Sequence, residues 1–441
     1  MSKFYIAATS LIFAGALLFN SAAKAQSIQV FENYGPPVVS VNNSGKAITP
    51  SNYYDYATNT FTPAEADITR LYNINNNGDV TGSIKMTENP SWTQPAYKLA
   101  TDTEWQRIPW FPESNPANSF FDIGAISSNG KYIAGYMSVG SSNFGGFVYN
   151  TETKEFIKIL DENNTTYKTI RPFGINNNGI TVGYVSKNGT TRIPMYMDIH
   201  DMVIHEIHLN NAHGLADMAN DINNNNVIAG RIDGDYGYTY DINTQQIKTF
   251  DFPFLEAYGL QSMITNLMHI SDSGKVVGQG LVIISPAYYE ALIYDPASDP
   301  DHLQFLFDYF AAKGLSYTTP DGTNLLGQAY VISDNGRYIG GFCNGGVPGW
   351  MADLGADSTL QIQNTAKTSV SVYPNPASDY FSIKDGKRVA KISVYSADGK
   401  LVKVFDSERK EYSVSGLKAG VYIVSIEEKD GTKTTTKLIK K

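Results

Sequence analysis

Ile175-Asn176-Asn177-Asn178-Gly179 runs straight into Ile180-Thr181-Val182-Gly183-Tyr184. An amide-rich turn followed by an apolar, β-branched stretch reads as half of a β-hairpin. The pattern recurs as Val41–Gly45 (VNNSG), Ile74–Gly78 (INNNG), Ile126–Gly130 (ISSNG), Ile222–Asn226 (INNNN), Ile270–Gly274 (ISDSG) and Ile332–Gly336 (ISDNG), making seven copies in all. In copies two to seven a glycine follows four or five residues after the turn: Gly82, Gly135, Gly183, Gly230, Gly278 and Gly341. The first copy carries Thr49-Pro50 there instead. Asn and Gly tolerate the positive φ that primed hairpin turns require, so primed turns are expected.

A second motif keeps step with the first. It is an aromatic strand, often closed by Asp or Asn: Tyr54-Asp55, Tyr97, Tyr149-Asn150, Tyr196, Tyr240-Asp241, Tyr294-Asp295 and Trp350. A short polar turn and another apolar strand follow, as in Phe156–Ile159 and Gln246–Phe250. Each unit thus holds about four strands. A sheet that small cannot bury both faces alone, and radial stacking buries them while leaving only short edges. The expected fold is all-β: a β-propeller over residues 26–356, with seven blades favoured over six or an open solenoid. The seventh unit runs out after Trp350–Leu354, one or two strands short. Ser27–Ser40, with Ile28, Val30, Val38 and Val39, is expected to complete it and close the ring. One helix is expected at His302–Gly314, where Leu303, Leu306, Tyr309 and Phe310 have helical spacing and Gly314 is placed as the C-cap.

Composition agrees with short strands and tight turns. Of 441 residues, 42% are apolar and only 17% charged, with 38 Gly and 29 Tyr. The net charge of -9 argues against a nucleic-acid partner, because phosphate binding needs a basic surface. The single cysteine, Cys343, rules out an internal disulfide framework and a thiolate zinc cluster. It is read as a small buried hydrophobe. No cofactor is expected, and a monomer is.

Both chain ends read as addresses. Lys3 precedes an apolar run, Ile6–Phe19, too short for a membrane span of about 20 residues. Ala23-Lys24-Ala25 then offers a signal-peptidase site. Residues 1–25 are therefore read as a signal peptide, cleaved between Ala25 and Gln26. No later stretch reaches spanning length. Residues 357–369 read as a linker, and 370–441 as a small β-sandwich. Its landmarks are Tyr373-Pro374-Asn375-Pro376, an Asp398-Gly399 turn, Gly420 and Tyr422 in Leu417–Val424, and a final strand through Lys437.

Two families come into view from these motifs. The turn repeat, with the helical stretch ahead of Ala329–Gly336, resembles the HAF-type extracellular repeats of secreted bacterial proteins. That resemblance implies a propeller-like fold and no shared chemistry. YPNP at 373–376, DGK at 398–400, LKAGVYIV at 417–424 and TKLIKK at 436–441 closely resemble the C-terminal sorting (Por secretion) domain of the type IX secretion system of Bacteroidetes. The resemblance implies transfer from the periplasm across the outer membrane by that machinery, and an extracellular or outer-surface location.

Candidate chemistry is sparse. Asn73-x-Asn75-x-Asn77-Gly78 has the letters of a calcium loop, but its twelfth position is Ile84 and it lacks carboxylates, so a turn is expected. His200, His205, His208 and His213 crowd one stretch without a metal-binding spacing, so no metal site is expected. No catalytic residue is assigned: there is no G-x-S-x-G and no Cys–His pair. Asp122, Asp217, Asp221 and Asp272 lie just before or within the turns, where Asp is commonly a turn former. Trp92, Trp105 and Trp110 gather near the second copy and are candidates for a ligand platform. The reading is an exported binding or structural propeller whose ligand is a polysaccharide or a surface protein. Its rival is an extracellular hydrolase or lyase acting on polysaccharide through channel carboxylates.

Overall fold

The computed structural model describes residues 27–31, 36–112, 114–115, 117, 119–139, 143–159, 166–208, 217–232, 236–250, 263–282, 288–315, 326–343, 348–355, 372–383, 389–396, 400–407, 409–428 and 433–441. The expected leader and its cleavage site (Ala23, Ala25, Gln26), the linker 357–369 and the Asp398-Gly399 turn lie outside them. The chain divides into two compact units, Met1–Ser358 and Thr359–Lys441.

Among the described residues the first unit holds seven four-stranded antiparallel sheets. Their first strands are Ser40–Val41, Ile68–Ile74, Phe121–Ile126, Thr169–Ile175, Met218–Ile222, Met263–Ile270 and Leu326–Ile332. Blade 4 is representative: Thr169–Ile175, Ile180–Ser186, Ile193–Asp198 and Ile204–Glu206 pair in sequence order. A single bridge, Phe144 to Thr169, links blades 3 and 4. Each first strand touches the next around the ring, and the last touches the first, so these are the inner strands of a closed seven-bladed propeller.

The seventh blade is completed from the other end of the chain. Ser27–Val30 pairs antiparallel with Gly349–Asp353, as Ser27↔Asp353 through Val30↔Trp350. Blade 1 holds the same strand from its side: the Tyr56 hydroxyl donates to the Ser27 carbonyl at 2.6 Å, and the Tyr54 hydroxyl donates to Gln29 Oε1. Wedges of apolar side chains fill the gaps between blades. Ile180 and Val182 of blade 4, for example, pack with Ala219, Ile228 and Tyr238 of blade 5. Each fully buried Ile contributes about 1.5–3 kcal/mol.

The repeated glycines have a steric cause. In blades 2 to 7 the inner strand carries a β-bulge: Leu71/Asn73, Ile123/Ala125, Pro172/Gly174, Ala219/Asp221, Leu267/His269 and Ala329/Val331. The bulge pushes a carbonyl toward the facing strand, where each repeat places its glycine. A Cβ at Gly341 would stand 1.9 Å from the Gln328 carbonyl oxygen, and one at Gly183 2.0 Å from that of Arg171. The corresponding distances at Gly82, Gly135, Gly230 and Gly278 are 2.2–2.9 Å. Blade 1 pairs only Ser40–Val41 with Ala47–Ile48, without a bulge, and there the sequence has Thr49.

Two expectations need correction. The turns are not primed. Of each five-residue motif only the last residue has positive φ: Gly45, Gly78, Gly130, Gly179, Asn226, Gly274 and Gly336 lie between 65° and 88°. A primed I′ turn would need two such residues, whereas a type I turn followed by one left-handed residue needs one. The helix is also shorter than His302–Gly314. It spans Leu306–Ala312, burying Leu306, Tyr309 and Phe310, and Gly314 follows at φ 73°. Gln304–Phe305 is instead the outer strand of blade 6, because Leu292 and Ile293 need pairing partners.

The second unit has a three-stranded sheet (Val372–Tyr373, Tyr380–Ile383, Tyr412–Ser413) and a four-stranded one (Leu401–Phe405, Val389–Ser396, Gly420–Glu428, Lys433–Lys440). Phe381 and Tyr412 from the first meet Val394, Val424 and Leu438 from the second in one core, which makes a β-sandwich.

Candidate functional site

The amide-rich turns link neighbouring blades with hydrogen bonds around the axis. The first turn residue is buried in every copy: Asn42, Asn75, Ser127, Asn176, Asn223, Ser271 and Ser333. Its side chain folds the turn back on itself, as where Asn176 Oδ1 accepts the N–H groups of Asn178 (3.0 Å) and Ile180 (3.1 Å). Where it is Asn it also reaches the next blade: Asn42 Nδ2 to the Asn75 carbonyl (3.1 Å), Asn75 to Ser127 (3.1 Å), Asn176 to Asn223 (3.0 Å) and Asn223 to Ser271 (2.9 Å). Backbone N–H bonds fill the remaining junctions, and others, such as Asn43 N–H to Asn76 Oδ1 (2.8 Å) and Asn177 N–H to Asn224 Oδ1 (3.0 Å), double existing ones. Asn129 N–H donates to Asn177 Oδ1 (2.8 Å), Asn224 N–H to Asp272 Oδ1 (2.8 Å), Asp272 N–H to the Asp334 carbonyl (2.8 Å) and Asn335 N–H to Asn43 Oδ1 (2.8 Å). Every blade is thereby tied to both neighbours.

At the centre of these turns Asp221, Asp272, Asp334 and His269 line a cavity of about 60 Å³. Asp334 Oδ2 accepts Asn76 Nδ2 at 2.7 Å and the Ser128 hydroxyl, from the turns of blades 2 and 3, neither of them a neighbour of blade 7. Asp221 Oδ2 accepts the Ile270 N–H at 2.9 Å and lies 3.2 Å from His269 Nδ1. Burial pushes all three carboxyls above the ordinary aspartate range, and repulsion within the group adds to it, Asp334 acting on Asp272, Asp272 on Asp221 and Asp221 on Asp334. A cavity of this size holds a few waters but no sugar ring. The hub therefore closes the turn end of the axis.

Toward the opposite end of the inner strands the chemistry changes. Four residues before the lead isoleucine, blades 2, 3 and 4 carry Arg70, Asp122 and Arg171. The Arg171 guanidinium lies 4.0 Å from the Phe144 ring centroid, 4.7 Å from Tyr136 and 5.9 Å from Tyr184. Arg192 covers Tyr184 at 4.8 Å, and Arg70 covers Tyr72 at 5.2 Å. Phe120, 55% exposed, stands 6.2 Å from Tyr136 and 6.4 Å from Phe144, and Phe173 lies 5.6 Å from Tyr184. The rings thus form one connected strip over blades 3 and 4, with Arg70 and Tyr72 at its blade 2 end. Asp122 Oδ2 accepts the Tyr136 hydroxyl at 3.3 Å. Burial raises the Asp122 carboxyl, with Arg70, the Tyr136 hydrogen bond and Arg171 opposing. Burial likewise pushes the Tyr72 hydroxyl up to about 12. Nε of Arg171 is buried and makes no hydrogen bond.

Sequence reasoning missed this strip. Aligning the seven copies on the turn exposes its signal, charged residues at one inner-strand position in three successive blades. The residues singled out from sequence are placed as follows. Trp92, Trp105 and Trp110 are all half-buried, and no ring contact joins any two of them. Trp105 covers Gly82, and Trp110 packs edge-on against Phe121 at 5.3 Å. Of the four aspartates, Asp221 and Asp272 meet at the hub with the unforeseen Asp334, whereas Asp122 belongs to the strip. Asp217 is buried at the start of an inner strand. His205 stacks on Tyr196 at 4.6 Å, His208 Nε2 lies 3.5 Å from Glu206, His200 follows blade 4's third strand, and His213 is outside the described residues. In the Asn73–Gly78 loop the amides bond to one another's neighbours and to blade 3, as in Asn77 Nδ2 to the Asn129 carbonyl at 3.1 Å. Cys343 is buried in the blade 6–7 core, which pushes its thiol up to about 12.

In the second unit, Tyr373-Pro374 and Asn375-Pro376 are both cis. Asn375 Oδ1 accepts the Ile439 N–H at 2.8 Å, and Ala377 pairs with Lys440, so this loop clasps the terminal strand that contains Lys437. The Tyr422 hydroxyl donates to the Lys418 carbonyl at 2.8 Å, fastening the loop that leads into Gly420.

Comparison with curated proteins finds no match. Among solved structures the chain is similar to PorZ, a surface component of the type-IX secretion system of Porphyromonas gingivalis, at 11% identity over 91% of this chain and 70% of that one (TM-score 0.29). It is similar to the extracellular domain of a hybrid two-component system from B. thetaiotaomicron at 11% identity over 93% of this chain, about half (54%) of that one (TM-score 0.43). It is also similar to TolB from Acinetobacter baumannii at 13% identity over 68% and 75% of the two chains (TM-score 0.37). No helix among the described residues is long and apolar enough to cross a membrane. Residues 371–441 match the secretion system C-terminal sorting domain. The chain therefore ends in a type IX secretion sorting domain, which marks it for export to the cell surface or the extracellular space.

Proposed function

We propose that the propeller is an exported binding protein that engages an extracellular polysaccharide, released from its leader between Ala25 and Gln26 and belonging with the HAF-type repeat proteins. The observation that carries this reading is the connected ring strip of blades 3 and 4, with Phe120 presented to solvent. Aromatic faces stack on the apolar faces of sugar rings, and a rigid ring of sheets holds such faces in place without ordering cost on binding. Of the sequence-based candidates Trp92, Trp105 and Trp110, all half-buried, Trp105 covers Gly82 and Trp110 packs on Phe121, apart from this strip. The hydrolase or lyase reading would rest on Asp221, Asp272 and Asp334. Their cavity of about 60 Å³ and their Asn and Ser donors weigh against it. A glycan array with the exported protein tests the proposal: retention of defined polysaccharides supports it. Retention of none, with capture of a surface protein instead, would replace the ligand class.

A further inference from the structure

Resting on that reading, we infer that the strip selects a carboxylate-bearing polysaccharide, one built on uronic acids, and that Arg171 is its principal anion-binding residue. Arg171 is half-buried, yet among the described residues its guanidinium forms no hydrogen bond and no ion pair, and its Nε is shut off from solvent. Guanidinium groups taken out of water are normally matched by acceptors. Here the neighbours are ring faces, Phe144 at 4.0 Å and Tyr136 at 4.7 Å, which hold the guanidinium plane while accepting no in-plane hydrogen bond. The nearby carboxylate makes no hydrogen bond to it: Asp122 Oδ2 accepts the Tyr136 hydroxyl, and Asp122 and Arg171 attract each other only through space.

The strip as a whole is cationic on an anionic protein. Arg70, Arg171 and Arg192 each lie on a tyrosine or phenylalanine face, and among the described residues Asp122 is the one carboxylate bonded within the strip, on a chain of net charge -9. A planar fork held by stacking suits a carboxylate bidentately, with little rotamer freedom left to lose. Phe120, Phe144 and Phe173 supply the apolar faces beside it. Rings for the sugar and forks for its carboxylate together describe a uronic-acid polymer better than a neutral glycan.

Affinity electrophoresis and calorimetry with the exported full chain test this, using polygalacturonate, its methyl-esterified form, dextran and poly-glutamate. Polygalacturonate is expected to bind, and esterification, which keeps the sugar and removes the charge, to weaken binding about tenfold or more. Arg171→Gln is expected to weaken it similarly, and Arg107→Gln, outside the strip, to leave it unchanged. Phe120→Ala removes an exposed ring without touching the core and is expected to weaken every sugar polymer that binds. Equal binding of free and esterified polymer, or full binding by a folded Arg171→Gln protein, overturns the inference while leaving a polysaccharide binder. Poly-glutamate bound as tightly as polygalacturonate overturns it in favour of an acidic peptide. Failure of every glycan overturns the underlying functional reading itself.

Discussion

The backbone N–H of Asn335 in the seventh turn donates to Oδ1 of Asn43 in the first at 2.8 Å, across 292 residues of sequence. The contact closes the circle of inter-blade bonds that the other turns build step by step. A net hydrogen bond contributes about 0.5–1.5 kcal/mol, and a buried donor stripped of its partner costs more. Asn43→Ala should therefore lower stability by about 1 kcal/mol. Asn176→Ala, which removes two turn bonds and two inter-blade bonds, should cost about 2–3 kcal/mol. Urea denaturation of the two variants beside the wild type checks the order.

Gly183→Ala and Gly341→Ala should be among the most damaging single changes in the propeller. The added methyl would sit 2.0 Å and 1.9 Å from a backbone carbonyl oxygen that is fixed by a bulge. Relief requires moving the inner strand, so a loss of about 3 kcal/mol or more is expected. Thermal unfolding reads it out, with Gly416→Ala, where nothing stands within 4 Å of the new Cβ, as the harmless comparison.

The hub aspartates should make the propeller more stable as pH falls from neutrality. A carboxyl whose folded pKa is raised binds protons more readily in the folded state, so its penalty is full above that raised value. The penalty fades as pH drops and is gone below the unfolded value near 3.8. The half-buried carboxylates Asp55 and Glu206 are lowered and work in the opposite sense, so the difference between proteins is the clean readout. Asp334→Asn should be more stable than wild type at pH 7 and lose that advantage toward pH 4. An advantage that is absent at pH 7, or constant with pH, would contradict the assignment.

Deleting Val370–Lys441 should leave the protein in the periplasm, as read by fractionation against a periplasmic marker. Asn375→Ala removes the acceptor for Ile439 N–H and should loosen the terminal strand, lowering the amount exported without altering the propeller.

Much of this architecture was legible in the chain. The seven turns, the glycines and the aromatic strands gave the blade count, and the unfinished run at Trp350–Leu354 pointed to Ser27–Ser40, of which Ser27–Val30 closes the seventh blade while Ser40 opens the inner strand of blade 1. Spacing could not reveal why the glycines are there, since the bulge facing Gly341 forms only once Leu326–Ile332 is paired. Nor could it separate the two uses of asparagine. Propensity assigned the amides to backbone conformation, whereas Asn42, Asn75, Asn176 and Asn223 hold their own turn through Oδ1 and also donate to the next blade through Nδ2. The arginine strip stayed hidden because Arg70 belongs to blade 2 and Arg171 and Arg192 to blade 4, and the rings they cover come together only when the sheets fold.

Hydrogen exchange of residues 27–31 in the intact exported protein tests the closed ring most directly. These amides are protected only if the first strand pairs with Gly349–Asp353, at the far end of the propeller sequence. The ring predicts slow exchange, matching that of 349–353. Exchange at the rate of unstructured chain, with the other blades still protected, would contradict closure.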